Sequence, residues 1–325
     1  MLLDDQINVI ILAAGKGTRM KSDTLKVLHH VAGKPILSYV LDAVQSCAKN
    51  RYVVIGHQAD AVRSTFSDPS LTFVEQTEQL GTGHAVQQVM PYLTKSSAEN
   101  TLILAGDCPL IQPSTLTSLL QTHQDTQASA TVLTTHMKDP YGYGRILRSE
   151  NNQLLGIREQ KDCNSQQATI TEINSGIYIF NTALLQNYIS TLQSNNNQKE
   201  YYLTDIIHIL NDNDKLVSAM ITDDPNEIIG VNTRQDLAKI NAIIYDKINH
   251  HLMTQGVTIV DPKSTFIDAS VTIGHDSIIH PFSILTGTTS IGSHCIIGPY
   301  VNLNNEIISD NDIIKNPIFS QTGSL

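Results

Sequence analysis

The chain has 325 residues, of which 41% are hydrophobic and 16% charged, so it is long enough for one large domain and a smaller one, with a composition typical of globular proteins. A net charge of −10 argues against a nucleic-acid partner, which would need basic patches. The apolar runs are far shorter than the ~20 residues that span a bilayer, and acids stand where a signal peptide would carry Lys or Arg. We therefore expect a cytoplasmic protein with no membrane partner.

Strand and helix patterns alternate from the first residues to about residue 225. The first predicted strand, Ile7–Ala14, is nearly all aliphatic and does not alternate, which indicates burial on both faces. The other predicted strands are Arg51–Ile55, Leu71–Glu75, Thr101–Ala105, Ala130–Thr135, Leu154–Glu159, Ile173–Phe180 and Val217–Ile221. The predicted helices between them are Ile36–Ala48, Ala59–Phe66, Gly83–Val89 and Pro113–Thr122. This alternation predicts an α/β fold with a mostly parallel sheet.

A long helix, Thr233–His251, follows, with Thr233 or Asn232 as its cap. After Gly256 the pattern changes, because aliphatic residues recur at every sixth position. They are Ile273, Ile279, Leu285, Ile291, Ile297 and Leu303. This period is typical of a hexapeptide parallel β-helix, here of about three coils. We thus predict a Rossmann-like domain over residues 1–232, a linker helix over 233–252, and a short left-handed parallel β-helix over 253–325.

A glycine loop, Gly15-Lys16-Gly17-Thr18, follows the first strand, and Arg19, Lys21 and Lys26 come soon after it. Glycines let a backbone approach a ligand closely, and the cations can meet phosphates. The loop lacks the final Lys-Ser/Thr pair of a Walker motif, and Met20 stands where a dinucleotide fingerprint has Gly or Ala. These residues predict a phosphate-handling site of another kind at the carboxyl end of a parallel sheet.

A series of motifs carries a resemblance to one family over residues 5 to 250. They are LAAGKGTRM, Lys26-Val27-Leu28, Ala32-Gly33-Lys34-Pro35, Glu78 to Ala85, Gly106 to Leu110, Gly142 to Ile146, Glu172 to Gly176, Glu200 to Asp205 and Gly230-Val231-Asn232. In this order they resemble the sugar-phosphate nucleotidyltransferases, and more narrowly the bacterial N-acetylglucosamine-1-phosphate uridylyltransferases. The hexapeptide tail is similar to that family's second domain.

The resemblance implies transfer of a uridylyl group from UTP to N-acetylglucosamine 1-phosphate, with release of pyrophosphate. Two polyanions must meet in line, so positioning and charge neutralisation are the main tasks, and Mg²⁺ is the expected cofactor. The attacking phosphate is already ionised, so no general base is required. This agrees with the absence of a Cys–His or Ser–His–Asp pattern.

The resemblance also implies a role for each matching residue. Asp107 and Asn232 would bind Mg²⁺, with Asn232 also touching substrate. Arg19 would neutralise the triphosphate, and Lys26 would contact the phosphates of the sugar nucleotide. The remaining implied substrate contacts are Leu12, Ala13, Ala14 and Gly15 through the backbone, Gln76, Gly81 and Thr82 at the uracil, Ala105 and Gly106 in the nucleotide site, and Gly144, Glu159 and Asn174 at the sugar, with Tyr201 and Thr204 lining the sugar pocket.

Departures from the family pattern lead to further expectations. Leu25 replaces the usual Pro before Lys26, which loses a fixed φ angle, and Ala105 replaces a frequent aromatic residue, which opens one wall of the site. The chain ends at Leu325, before the coils that bear the family's acetyltransferase site, so we expect no acetyl transfer. His275, His280 and His294 are not expected to be acyl-transfer residues, since no acetyltransferase motif flanks them.

Three expectations concern alternatives and assembly. The sugar specificity is open between N-acetylglucosamine 1-phosphate and another sugar 1-phosphate such as the glucose compound. A non-catalytic, nucleotidyltransferase-like scaffold is the alternative of a different class, although a scaffold has no need to keep Arg19, Lys26, Asp107 and Asn232 together. Hexapeptide helices of relatives pack as trimers, so a homotrimer is possible here.

Overall fold

The computed structural model describes residues 7–48 and 50–315, and these divide into two compact units. The first unit contains the described residues up to Leu28 and those from Ile36 to Asn232, and the second contains His29–Pro35 and the residues from Thr233 onward. The segment His29–Pro35 therefore belongs to the second unit, although it lies within the first 232 residues. None of the helices in the described ranges is long and apolar enough to cross a membrane.

A mixed sheet forms the centre of the first unit. Its strands are β1 (Ile7–Leu12), β4 (Asn50–Ile55), β5 (Leu71–Glu75), β6 (Asn100–Ala105), β7 (Ala130–His136), β8 (Arg145–Arg148), β9 (Leu154–Arg158), β10 (Glu172–Asn181) and β11 (Val217–Ile221), while β2 (His30–Val31) and β3 (Lys34–Pro35) form a separate hairpin in the second unit. The main order is β11-β7-β10-β6-β1-β4-β5. Only β10 runs antiparallel to its neighbours on this path, and β8 and β9 form a hairpin beside it. The predicted α/β class with a mostly parallel sheet is confirmed.

Helices cover both faces of this sheet. They are α1 (Ile36–Val44), α2 (Ala59–Thr65), α3 (Thr82–Gln87), α4 (Met90–Leu93), α5 (Pro113–Thr126), α6 (Thr182–Ile189) and α7 (Asp205–Asp212), and α8 (Arg234–Thr254) follows in the second unit. Alternate residues of β1 enter two different cores, with Val9 and Ile11 packing in one and Ile10 in the other. All three side chains are completely buried. The predicted burial of the first strand on both faces is thus confirmed.

The first predicted strand and the first predicted helix both end earlier than expected. The first strand stops at Leu12 rather than Ala14, because the paired strand β6 stops at Ala105 and the Gly106 amide then bonds to the Leu12 carbonyl at 2.9 Å. Helix α1 stops at Val44, where tight turns replace the helical bonding up to Cys47. The residues released from the first strand become part of the loop that lines the main cavity.

An irregularity in β10 shapes one wall of that cavity. The pairing with β7 shifts between Asn174, which pairs with Thr134, and Tyr178, which pairs with Val132, so three residues of β10 lie opposite one residue of β7. Gly176 lies within this bulge at φ +78°, a left-handed conformation that favours glycine. Its amide donates to Asn174 Oδ1 at 3.1 Å, which fixes the side chain of Asn174 against its own bulge.

The second unit contains three narrow parallel sheets, as expected for a short hexapeptide β-helix. The first comprises β12 (Thr258–Ile259), β15 (Ile278–Ile279), β18 (Ile296–Ile297) and β21 (Ile313–Ile314); the second β13 (Phe266–Ile267), β16 (Ile284–Thr286) and β19 (Asn302–Asn304); the third β14 (Thr272–Ile273), β17 (Ser290–Ile291) and β20 (Ile307–Ile308). Of the six aliphatic residues in the period, five are buried and Ile273 is partly buried. The β-helix begins at β12, before Ile273, the first residue of the predicted six-residue spacing of aliphatic residues. The short helical turn Pro262–Ser264 between β12 and β13 interrupts that spacing in the first coil.

Helix α8 is part of this second unit. Its cap is Thr233, whose hydroxyl accepts from the Asp236 amide at 3.1 Å while Asp236 accepts from the Thr233 amide at 2.8 Å. The β2–β3 hairpin is held on the same unit by two bonds at Ala32. The Ala32 amide donates to Asn241 Oδ1 at 2.9 Å, and the Ala32 carbonyl accepts from the Ala269 amide at 3.0 Å.

Candidate active site

The loop after β1 approaches its own later turn too closely for a side chain at Gly17. A Cβ atom there would lie 2.7 Å from Lys26 Cβ, and Gly17 adopts a left-handed φ of +59°. Glycine is thus required at this position for both space and conformation. Two short helical turns, Thr18–Met20 and Lys26–Leu28, follow, and they carry Arg19 and Lys26.

Four side chains from three distant parts of the first unit meet beside this loop. The Lys26 ammonium forms an ion pair with Asp107 Oδ2 and lies 3.3 Å from Asn232 Oδ1. Arg19 donates to the same Asn232 oxygen at 2.9 Å. Asp107 follows β6 after one intervening residue, Gly106, and its carbonyl accepts from the Val231 amide at 2.9 Å, which holds the segment before Asn232 in place. We call Arg19, Lys26, Asp107 and Asn232 the charged cluster.

The charged cluster contains the ligand types that a magnesium ion requires. Asp107 Oδ2 and Asn232 Oδ1 both contact a single cation, the Lys26 ammonium, so their oxygen atoms converge on one point. Magnesium prefers such oxygen ligands and is held by few of them in nucleotide sites, where phosphates supply others. The residues present therefore fit the expected cofactor.

A cavity of about 570 Å³ opens at the same edge of the sheet. Of the residues predicted for the site, it is lined by Leu12, Ala13, Ala14, Gly15, Lys26, Gln76, Gly81, Thr82, Ala105, Asp107, Glu159, Asn174 and Thr204. Arg19 and Asn232 join it through the charged cluster, whereas Tyr201 does not line it. Gly106 and Gly144 lie behind the lining: a Cβ on Gly106 would be 3.2 Å from the Leu12 carbonyl, and one on Gly144 would be 3.6 Å from Glu159 Oε2.

Several lining residues were missed by the sequence reasoning. They are Lys16, Val27, Gln79, Ala85, Gly176, Tyr178, Glu200 and Leu203. All of them except Tyr178 lie within the quoted motifs, so their proximity to the site could have been inferred. Tyr178 could not, because it reaches the cavity only through the bulge in β10.

One end of the cavity is formed by an amide in a fixed orientation. Gln76 Nε2 donates to the Gly81 carbonyl at 3.1 Å and lies 3.0 Å from His84 Nδ1. A carbonyl can only accept, so the amide nitrogen must face Gly81. In the His84 tautomer with Nδ1 unprotonated, this ring nitrogen accepts the second amide hydrogen. Both hydrogens of the Gln76 amide are used in this way, which leaves the oxygen Oε1 as the group that a ligand can engage.

The other end of the cavity has a carboxylate in a poorly hydrated position. Glu159 Oε1 accepts from the Thr204 hydroxyl at 3.0 Å. Burial raises the pKa of Glu159, the Thr204 bond opposes this shift, and the charges of Asp205, Asp162 and Glu200 add to it. Nearby, Asn174 Nδ2 donates to the Tyr178 hydroxyl at 2.6 Å. Burial also raises the pKa of Tyr178, so its hydroxyl stays protonated.

The two residues that depart from the family pattern, Leu25 and Ala105, have different surroundings. Leu25 is 3% exposed and packs in the hydrophobic core, and its carbonyl accepts from the Leu28 amide at 2.9 Å at the start of the turn that carries Lys26. Apolar packing therefore anchors this turn at the position where the resemblance led us to expect a proline. Ala105 lines the cavity directly, as expected for a wall without an aromatic ring.

Comparison with known proteins assigns both units to families. Residues 9–170 match the MobA-like NTP transferase domain, and residues 270–305 match the bacterial transferase hexapeptide repeat. The chain is 45% identical over 308 residues to the bifunctional protein GlmU of Clostridioides difficile, covering 94% of this chain and 66% of that protein. It is 43% identical over 314 residues to GlmU of Exiguobacterium sibiricum (96% and 70%), and 42% identical over 304 residues to GlmU of Syntrophomonas wolfei (93% and 67%).

Fold, charged cluster and domain matches together define a nucleotidyltransferase domain followed by hexapeptide repeats. Within that class, the chain belongs to the GlmU family. It spans about two thirds of the length of the relatives it matches.

The raised pKa of Glu159 predicts a pH-dependent change in stability on substitution. Its stabilising contribution is present below the ordinary pKa of 4.5 and is lost as the pH rises through the higher value in the folded protein. Glu159→Gln removes the poorly hydrated charge but keeps an acceptor for Thr204. We expect its unfolding midpoint at pH 7.5 to exceed that of the parent by a few degrees, and the difference to vanish near pH 4.

Thermal unfolding followed by circular dichroism at both pH values measures this effect. Glu150→Gln, at an exposed position, is the matched control and should leave the midpoint unchanged at both. A lower midpoint for Glu159→Gln at pH 7.5 would show that the ionised carboxylate stabilises the empty fold, contrary to this account.

Proposed function

We propose that the chain transfers a uridylyl group from UTP to N-acetylglucosamine 1-phosphate, giving UDP-N-acetylglucosamine and pyrophosphate. The observation that carries this proposal is the charged cluster, in which two cations and two oxygen ligands meet at the mouth of the cavity. Such a cluster suits a reaction between two polyanions, since it can screen their repulsion and hold them in line.

The reaction requires one bond to form and one to break. A phosphate oxygen of the sugar 1-phosphate attacks the α-phosphorus of UTP, and the bond from that phosphorus to the bridging oxygen breaks as pyrophosphate leaves with the electron pair. The nucleophile is already ionised, so no residue must accept a proton. Mg²⁺, held by Asp107 and Asn232, would supply positive charge to the phosphates when bound.

The cations of the cluster have separate tasks in this proposal. Lys26 lines the cavity and is placed to contact the phosphates, moving its charge from Asp107 to the substrate oxygens. Arg19 is held by Asn232 and adds positive charge for the triphosphate. The backbone of Leu12 to Gly15 forms the adjoining wall, where it can approach the nucleotide without an intervening long side chain.

The two ends of the cavity support the choice of substrates. The accepting oxygen of Gln76 matches the N3–H donor of uracil, whereas N3 of cytosine is itself an acceptor. At the other end, Glu159 and Asn174 can bind sugar hydroxyl or amide groups. The apolar side chain of Leu203 also lines the cavity, where it could contact the methyl group of an acetamido sugar. The homotrimer, the cytoplasmic location and the lack of acetyl transfer remain predictions.

A substrate panel tests the proposed reaction. The purified chain is incubated with UTP, Mg²⁺ and each of N-acetylglucosamine, glucose, galactose and N-acetylgalactosamine 1-phosphates, and pyrophosphate release is measured. We expect kcat/KM for the N-acetylglucosamine compound to exceed that for the glucose compound at least tenfold. Highest turnover of glucose 1-phosphate would favour the alternative sugar, and no turnover of any compound would favour the scaffold.

Substitution of Asp107 tests the role of the charged cluster. Asp107→Ala removes both the partner of Lys26 and the only carboxylate of the cluster, and we expect kcat to fall at least about a hundredfold, as when a preorganised charged group is lost. Added Mg²⁺ should not restore it. Asp125→Ala, on the exposed side of α5, is the matched control. Near-normal turnover by Asp107→Ala would contradict the assignment.

The fixed amide of Gln76 makes His84 a positioning residue for base selection. His84→Phe keeps an aromatic ring beside Tyr201 but removes one of the two acceptors that hold the amide, leaving only the Gly81 carbonyl, so the orientation of the Gln76 amide is less firmly fixed. We expect the ratio of kcat/KM for UTP over CTP to fall about tenfold, which is the value of one hydrogen bond. His84→Asn, whose oxygen can accept in place of Nδ1, should preserve the ratio. An unchanged ratio in His84→Phe would refute this role.

A further inference from the structure

A second group of potential metal ligands lies on the β-helix, in the second unit. His275 and Asp276 occupy a corner of one coil, and His294 occupies the same corner of the next coil. The His294 amide donates to the His275 carbonyl at 3.1 Å, which links the two coils at this corner. Asp276 and His294 both adopt left-handed φ angles, +61° and +60°, so the repeating turn presents their side chains in the same way.

The donor atoms of these three side chains converge. Asp276 Oδ2 lies 2.8 Å from His275 Nδ1 and 4.0 Å from His294 Nδ1, and one ligand atom from each residue lies within 4.8 Å of the others. Two ligands of one tetrahedral zinc ion, each about 2.0–2.1 Å from it, are about 3.3 Å apart. The observed distances lie on both sides of this value, so modest side-chain rotations would complete a common coordination site.

A simple hydrogen bond explains only part of this arrangement. It accounts for His275 and Asp276, but His294 is too far from the carboxylate for a hydrogen bond of its own. The two imidazole rings meet edge to face, with centroids 5.2 Å apart and planes at 84°. They are therefore not stacked, and both present a nitrogen to the same carboxylate oxygen.

We propose that His275, Asp276 and His294 bind a divalent first-row transition metal, with Zn²⁺ as the probe ion. Two imidazoles and one carboxylate are ligands that zinc and its neighbours prefer, whereas magnesium prefers oxygen alone. The side chains are 63%, 67% and 53% exposed, so the ion can enter from solvent and keep water in its remaining coordination positions. The site is chemically distinct from the oxygen ligands of Asp107 and Asn232.

The bound metal would connect successive coils through their side chains. One ligand pair lies on the first coil and the third ligand on the next, so the ion adds a cross-link to the backbone bonds between them. Because an ion that binds only the folded state stabilises it, zinc should raise the unfolding temperature of the second unit. This effect would not depend on nucleotidyl transfer.

Calorimetric titration of the 325-residue chain with ZnCl₂, in buffer containing excess Mg²⁺, tests the proposal. We expect one more bound zinc per chain in the parent than in His294→Ala, or at least a tenfold weaker affinity for that ion in the variant. Asp276→Asn should weaken the same binding event. His280→Ala, which changes another histidine of the β-helix outside the cluster, should retain the parent's stoichiometry and affinity.

The outcomes separate this site from other histidines on the chain. Loss of one equivalent in His294→Ala but not in His280→Ala, accompanied by loss of the zinc-dependent rise in unfolding temperature, supports the proposal. Equal zinc binding by the parent, His294→Ala and His280→Ala would overturn it. Absence of zinc binding by the parent would overturn it as well. The side chains of Asp276 and His294 are exposed, so circular dichroism spectra of variants at these positions should match that of the parent.

Discussion

The ion pair between Lys26 and Asp107, shared with Asn232, is the interaction on which the candidate site depends. Loss of either Lys26 or Asp107 would leave the other charge partly buried, poorly solvated and without its partner, which raises the free energy of the folded state. The pair therefore fixes three distant segments at once, namely the loop after β1, the end of β6 and the residues before α8. The same charges that hold these segments together can bind phosphates and a cation when substrate arrives.

The remaining parts of the first unit form the two ends of one cavity, to which the proposed function assigns base and sugar recognition. The parallel strands place the phosphate-facing loop and Asp107 at their carboxyl ends, where α/β proteins commonly bind ligands. The antiparallel strand β10, with its bulge at Gly176, supplies the opposite wall. In the proposed reaction, base and sugar selection would depend on hydrogen-bond orientation, with Gly81 and His84 holding Gln76 and Thr204 engaging Glu159.

Much of this architecture could be predicted from the sequence, and the exceptions have physical reasons. The aliphatic run of the first strand and the six-residue spacing of aliphatic residues are local sequence patterns that indicate burial. Both elements could therefore be predicted. The antiparallel direction of β10 and the placement of the β2–β3 hairpin in the second unit depend on long-range packing, which local patterns do not record. The orientation of the Gln76 amide and the approach of His294 to Asp276 arise only once turns and coils are stacked.

The most direct test of the central claim is a crystal structure of the chain with UTP and Mn²⁺, whose anomalous signal locates the ion. We predict one peak in contact with carboxylate and amide oxygens of Asp107 and Asn232, with the Lys26 ammonium moved from Asp107 to the phosphate oxygens. A peak elsewhere, with the Lys26–Asp107 ion pair intact beside bound UTP, would contradict the account.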